Sequence, residues 1–150
     1  ILALDADFLC NEGSYIENMR KFVSKREVVG KTDFNRLYVA EGRMSATGMM
    51  ADYRLRIPPN VQYEFVIALI NELVKSNSAV ALDATAKAMI GKYSLSTIDY
   101  TGKEKIAHLV KDLNYNRGKA IIYAGDTLSK EVHIAVNLLN LYRAYCLIIF

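Results

Sequence analysis

Residues 36–57, RLYVAEGRMSATGMMADYRLRI, constrain the fold more than any other part of the chain. Leu37-Tyr38-Val39-Ala40 is an uninterrupted apolar run, the pattern of a strand covered on both faces. It ends on Glu41-Gly42-Arg43. An acid at the carboxyl end of a buried strand, followed by glycine, stands where open α/β sheets present ligand-contacting groups. A polar loop with Ser45, Thr47 and Gly48 comes next, then a second short strand over 51–57 and Pro58-Pro59 before a helix. The order is strand, crossing loop, strand, helix.

Two more apolar runs repeat the theme. Residues 1–4 read as a buried strand ending at Asp5-Ala6-Asp7, and residues 119–124 as another ending at Gly125-Asp126. After the first, Asn11-Glu12-Gly13-Ser14 is a turn, and Ser14 with Glu17 has capping-box spacing for a helix whose Tyr15, Met19, Phe22 and Val23 share one face. Those strand-end acids and that turn either face a phosphate or pterin or simply cap a strand and a helix; no GxGxxG stands here, which favours capping.

Asn60, after the prolines, is the expected N-cap of the clearest helix, with Val61, Phe65, Val66, Leu69, Ile70, Leu73 and Val74 at three- and four-residue intervals. A helix is expected over 83–93, capped by Asp83. Another follows the capping-box pattern Thr101…Glu104, carrying Ile106, Leu109, Val110 and Leu113. A last one opens at Ser129 and Glu131 and turns Val132, Ala135, Val136 and Leu139 inward. Strands separated by helices define an α/β fold: a three-layer α/β/α, Rossmann-like architecture with a largely parallel sheet and helices on both faces. The helices at 60–75, 103–114 and 130–140 are expected to supply that cover.

At 150 residues the chain has the length of a single domain. Both ends are apolar runs, so residues 1–150 are expected to be a fragment excised from a larger protein. The net charge is +3 with its basic residues scattered, which argues against nucleic acid as a partner. No apolar stretch approaches the roughly 20 residues that span a bilayer. Cys10 and Cys146 lack CxxC spacing and are expected to be buried thiols. Met44, Met49 and Met50 read as packing filler, since no partner His or Cys lies near them for a metal. His108 and His133 have no second ligand at metal spacing, and no catalytic motif stands in the chain.

The 36–57 stretch resembles a nucleotide-binding domain of the molybdopterin oxidoreductases. There a strand ends in an acid-rich loop with Arg and Thr, followed by a small residue, Asp, an apolar strand and a long helix. The corresponding residues are Glu41, Arg43, Ser45, Thr47, then Ala51-Asp52-Tyr53-Arg54-Leu55. The subgroup most similar is the molybdopterin-oxidoreductase-like iron–sulfur subunit of alternative complex III, a quinol-oxidising respiratory complex. It has counterparts of Asp5-Ala6-Asp7-Phe8-Leu9, of Arg36-Leu37-Tyr38-Val39 and of the residues between Thr47 and Leu55. The resemblance covers residues 1–75 and, more loosely, 119–140.

The resemblance implies an electron-transfer role in which the strand-end acid of cofactor-bearing relatives accepts from a guanine amino group. Carried over, the cofactor-binding residues are Glu41, Arg43 and Thr47, with Asn11 as a further contact, possibly as vestiges. Two departures stand against a working site. Relatives follow the second strand with Arg-Pro-Gly-Thr-Asp where this chain has Ile57-Pro58-Pro59-Asn60-Val61, and proline removes a backbone donor. Glu41 replaces the usual Asp. No glycine closes the last helix near Leu141, which counts against the resemblance in the final ten residues.

The leading reading is therefore a structural domain with no cofactor of its own and no catalytic or metal-ligating residue. Iron–sulfur clusters would lie elsewhere in the full-length protein. The partners implied are other domains of that chain and respiratory-complex subunits, on the periplasmic side of the bacterial cytoplasmic membrane, with membrane contact only through those subunits. Two alternatives stay open: a domain that still binds molybdopterin guanine dinucleotide, and a nucleotide-binding α/β domain unrelated to molybdenum.

Overall fold

In the computed structural model, which describes residues 1–27, 34–76, 84–98 and 102–142, each apolar run forms a strand. They are β1 (Leu2–Leu4), β2 (Tyr38–Glu41), β3 (Tyr53–Arg56) and β4 (Ile122–Ala124). The sheet is four-stranded and all-parallel, in the order β3-β2-β1-β4, with Leu2 opposite both Tyr38 and Ile122. The helices are α1 (Tyr15–Ser24), α2 (Ala46–Met49), α3 (Gln62–Lys75), α4 (Ala84–Ile90), α5 (Ile106–Tyr115) and α6 (Lys130–Tyr142). This is a three-layer, Rossmann-like α/β fold.

Side-chain alternation along the strands divides the core in two. Leu2, Leu4, Tyr38, Ala40, Leu55, Ile57, Ile122 and Ala124 face α3, α5 and α6. Ala3, Leu37 and Val39 face the other way, toward Phe22 of α1 and the turn bearing Phe8 and Leu9. The three helices expected to cover both faces thus all pack on one, and among the described residues the opposite face rests on α1 and the Phe8–Leu9 turn. Parallel crossovers are right-handed, so α1 lies over one face; the β2–β3 connection would share that face, but its α2 is a single turn.

Several local expectations are corrected. In α1 only Phe22 is buried, and Tyr15, Met19 and Val23 are exposed among the described residues. Ser14 makes no side-chain cap there. Before α3, Pro58 and Pro59 lead into a 3₁₀ turn, Pro59–Val61, and the helix begins at Gln62 with no side-chain cap. Proline's fixed φ presets this entry without one. Cys10, just past the buried Phe8 and Leu9, is exposed rather than buried. Met44, Met49 and Met50 are exposed too, since α2 buries Thr47 and Gly48 instead. The caps expected of Asp83 and Thr101, and Cys146, lie outside the described residues.

Side chains close both edges of the sheet. On β4 the Asn140 carboxamide accepts from the Ile122 N–H (3.1 Å) and donates to its carbonyl (2.7 Å), imitating a neighbouring strand. On β3 the Lys105 ammonium donates to the Arg54 carbonyl at 3.2 Å. Both satisfy backbone groups that would otherwise invite strand addition.

Candidate functional site

In an open parallel sheet the ligand crevice lies beyond the strand ends where the order reverses, here between β1 and β4. That gap is closed. The Gly125 N–H donates to the Leu4 carbonyl at 2.9 Å, continuing the pairing past β4. Gly125 lies so close to Asp5 and Ala6 that a Cβ on it would collide with the Asp5 carbonyl. Asp5 itself turns the chain with φ +46°, a left-handed conformation that Asp tolerates better than most residues. Its N–H donates to the Ala40 carbonyl (2.8 Å) and its Oδ1 accepts from the Gly42 N–H (3.2 Å), so β1 and β2 stay joined past their ends.

The turn after β1 is tied to the loop after β2. Asp7 Oδ1 accepts from both the N–H and the hydroxyl of Thr47, each at 2.8 Å. The Thr47 hydroxyl oxygen in turn accepts from the Leu9 N–H at 3.1 Å. The Asp7 carbonyl takes the N–H groups of Cys10, Asn11 and Glu12, closing the turn. Glu12 Oε1 accepts from the Asp7 N–H (3.1 Å), while its Oε2 is buried with no hydrogen-bond partner among the described residues. Burial, reinforced by the charges of Asp126 and Asp7, raises the Glu12 pKa above the usual carboxylate range.

Glu41, at the end of β2, is 1% exposed. Its Oε1 accepts from Arg54 Nε at 2.6 Å, and its Oε2 from the Ser45 N–H (3.1 Å) and hydroxyl (2.7 Å). Ser45 is also the N-cap of α2, its hydroxyl accepting from the Gly48 N–H at 2.9 Å. Gly48 rests on the carboxylate so closely that no side chain could stand there. Beside them the fully buried Gln62 donates to the carbonyls of Ala40 (2.9 Å) and Ile57 (3.4 Å), pinning α3 to the strand ends. Its Oε1 has no partner among the described residues.

The structure therefore places Glu41, Arg43, Thr47 and Asn11 at or beyond the carboxyl ends of β1 and β2, in two states. Glu41 and Thr47 are buried and turned into the protein, whereas Arg43 and Asn11 are exposed. The partners that decide this were not singled out from the sequence: Asp7 for Thr47, Ser45 and Arg54 for Glu41. Ser45 lies in a stretch that reads as a polar loop, with no apolar repeat to announce the single-turn α2 it caps. Arg54 could be placed only once the register set it opposite Val39, two positions before Glu41 on the same face.

These residues do not fit the guanine dinucleotide implied by the family resemblance. A base at Glu41 would have to displace Arg54 or Ser45, and the Pro59 ring stands against Gly42, the residue that follows Glu41. Among the described residues no group of His, Cys, Asp or Glu is arranged to hold a metal ion, and no helix is long and apolar enough to cross a membrane. No protein-family model and no curated protein matches the chain.

Proposed function

We propose that this chain is a structural domain of a molybdopterin-oxidoreductase-like electron-transfer subunit in a quinol-oxidising respiratory complex. It keeps the fold of a nucleotide-binding domain and binds no cofactor of its own. The observation that carries this reading is the Glu41 carboxylate, which is 1% exposed and takes three hydrogen bonds from Ser45 and Arg54 within the chain. A cofactor-reading acid has to present an accessible oxygen to its ligand, and Glu41 has almost no accessible surface. The closed gap between β1 and β4 and the proline against Gly42 support the same reading.

On this reading electrons move through iron–sulfur clusters elsewhere in the full-length protein. The domain contributes surfaces to its neighbours on the periplasmic side of the membrane. The test is molybdenum and extractable pterin per mole of the full-length native protein. Iron without molybdenum or pterin is the expected result. Molybdenum with a guanine dinucleotide near stoichiometry would overturn the reading and make this a cofactor-binding domain of an active oxidoreductase.

A further inference from the structure

We infer that Arg54 is a built-in occupant of the Glu41 site, and that removing its side chain opens a binding site for a small planar cation of the guanidine or amidine class. The inference deepens the scaffold reading above and rests on it in one respect: both take the strand-end site to be filled by the chain itself.

The cradle is built from three directions. Ser45 donates twice to Glu41 Oε2, Gly48 lies flat against the carboxylate, and Arg54 reaches along β3 to Oε1. Glu41 is 1% exposed while the Arg54 side chain is 26% exposed, so the arginine is the solvent-side member of the pair. Ser45 and Gly48 belong to the backbone frame of the loop and α2, whereas Arg54 is held at its tip. It is thus the removable part.

The chemistry selects the ligand class. A carboxylate this deeply buried needs a countercharge, and Arg54 is its only cationic partner among the described residues. The space vacated by Arg54→Ala would have the outline of a guanidinium group, with an anionic oxygen on one side and solvent on the other. A planar cation with in-plane N–H donors matches that geometry; a spherical ammonium has the charge without the plane.

The experiment is chemical rescue of Arg54→Ala in the intact protein, followed by thermal unfolding. The variant is expected to lose about 5 °C or more of Tm, as for a broken, largely buried ion pair. Methylguanidinium chloride should restore at least half of that loss and saturate, while sodium chloride at equal ionic strength should not. The double variant Glu41→Gln/Arg54→Ala should show no rescue. Rescue no better than with sodium chloride, or equal rescue of the double variant, overturns the inference. If Arg54→Ala does not fold, ¹⁵N NMR of the wild type decides instead. An exchange-protected Arg54 Nε–H that loses protection in Glu41→Gln supports the inference, and an unprotected one overturns it. Pterin content reads the native protein and rescue reads the variant, so each idea can fail without the other.

Discussion

On the side of the sheet covered by α3, α5 and α6, the contacts are apolar and deep: Phe65, Val66, Leu69 and Leu109 are fully buried against Leu2, Leu4, Leu55 and Ile57. On the side covered by α1 the strands offer smaller residues, Ala3 and Val39 among them. Only one helical residue among those described, Phe22, is buried there, beside Phe8 and Leu9 of the turn. Beside it the described residues leave an apolar groove of about 380 Å³, lined by Ile1, Phe8, Phe22, Ile121 and Tyr123 with Lys21 and Lys25. What the second side lacks in burial it makes up in polar brackets at both ends of its strands. At one end Arg26 lies over the rings of Phe22 and Phe34 and forms a two-pronged pair with Asp52, both contacts at 2.8 Å. Asp52 also accepts from the Leu37 N–H at 2.7 Å. At the other end stand the Asp7–Thr47 and Glu41–Arg54–Ser45 groups. One side is held by transfer of oil from water, the other by directional bonds around a thin core.

The largest expected effect separates the two sides directly. Phe65→Ala should cost about 3–5 kcal/mol in urea unfolding, because a fully enclosed cavity cannot collapse. Phe22→Ala should cost clearly less, since the groove beside it lets neighbours and water take up the space. Equal losses would break the comparison.

A smaller effect tests the brackets. Asp52→Asn should cost about 1–3 kcal/mol, and it should change the acid limb of stability. Burial works against the Asp52 charge, but the bonds from Arg26 and the Leu37 N–H outweigh it and hold its pKa below the ordinary value. Its contribution is therefore complete above the unfolded-state value, about 4, and is lost as pH falls through the lowered folded-state value. Unfolding midpoints measured down to acid pH should fall less steeply for the variant. Unchanged slopes would remove Asp52 from the account.

The smallest effect has the opposite sign. Burial raises the Glu12 pKa, so its ionised form is penalised at neutral pH, and the penalty disappears as pH falls through the raised value. Glu12→Gln should gain less than about 1 kcal/mol near neutrality and nothing in acid, allowing for the partial solvent screening of this side chain. A loss at neutral pH would show that the charged form is needed in the turn.

The sequence made the apolar side legible and left much of the polar side hidden. Uninterrupted runs such as Leu37-Tyr38-Val39-Ala40 and three- to four-residue repeats such as Phe65, Leu69 and Leu73 can signal only buried strands and amphipathic helices. Which face each helix takes follows from connection handedness and length, and the single-turn α2 could not be foreseen in what read as a loop. The candidate site was legible as a place, the acid ending β2, but not as a state. Whether Glu41 faces a ligand or its own chain depends on Arg54, whose reach follows from strand register rather than from neighbouring sequence.

The order of the strands has a consequence for biosynthesis. β1 is made before the other three strands of its sheet, yet it lies inside the sheet, paired with β2 on one side and β4 on the other. Synthesis at about 5–20 residues per second separates Leu2 from Ile122 by roughly 6–24 s. During that interval β1, β2 and β3 can assemble with α3, but the far edge of β1 stands open, its N–H and C=O groups still without β4. The nascent domain must therefore carry an unpaired inner edge until β4 arrives, and that edge is where a chaperone would be needed.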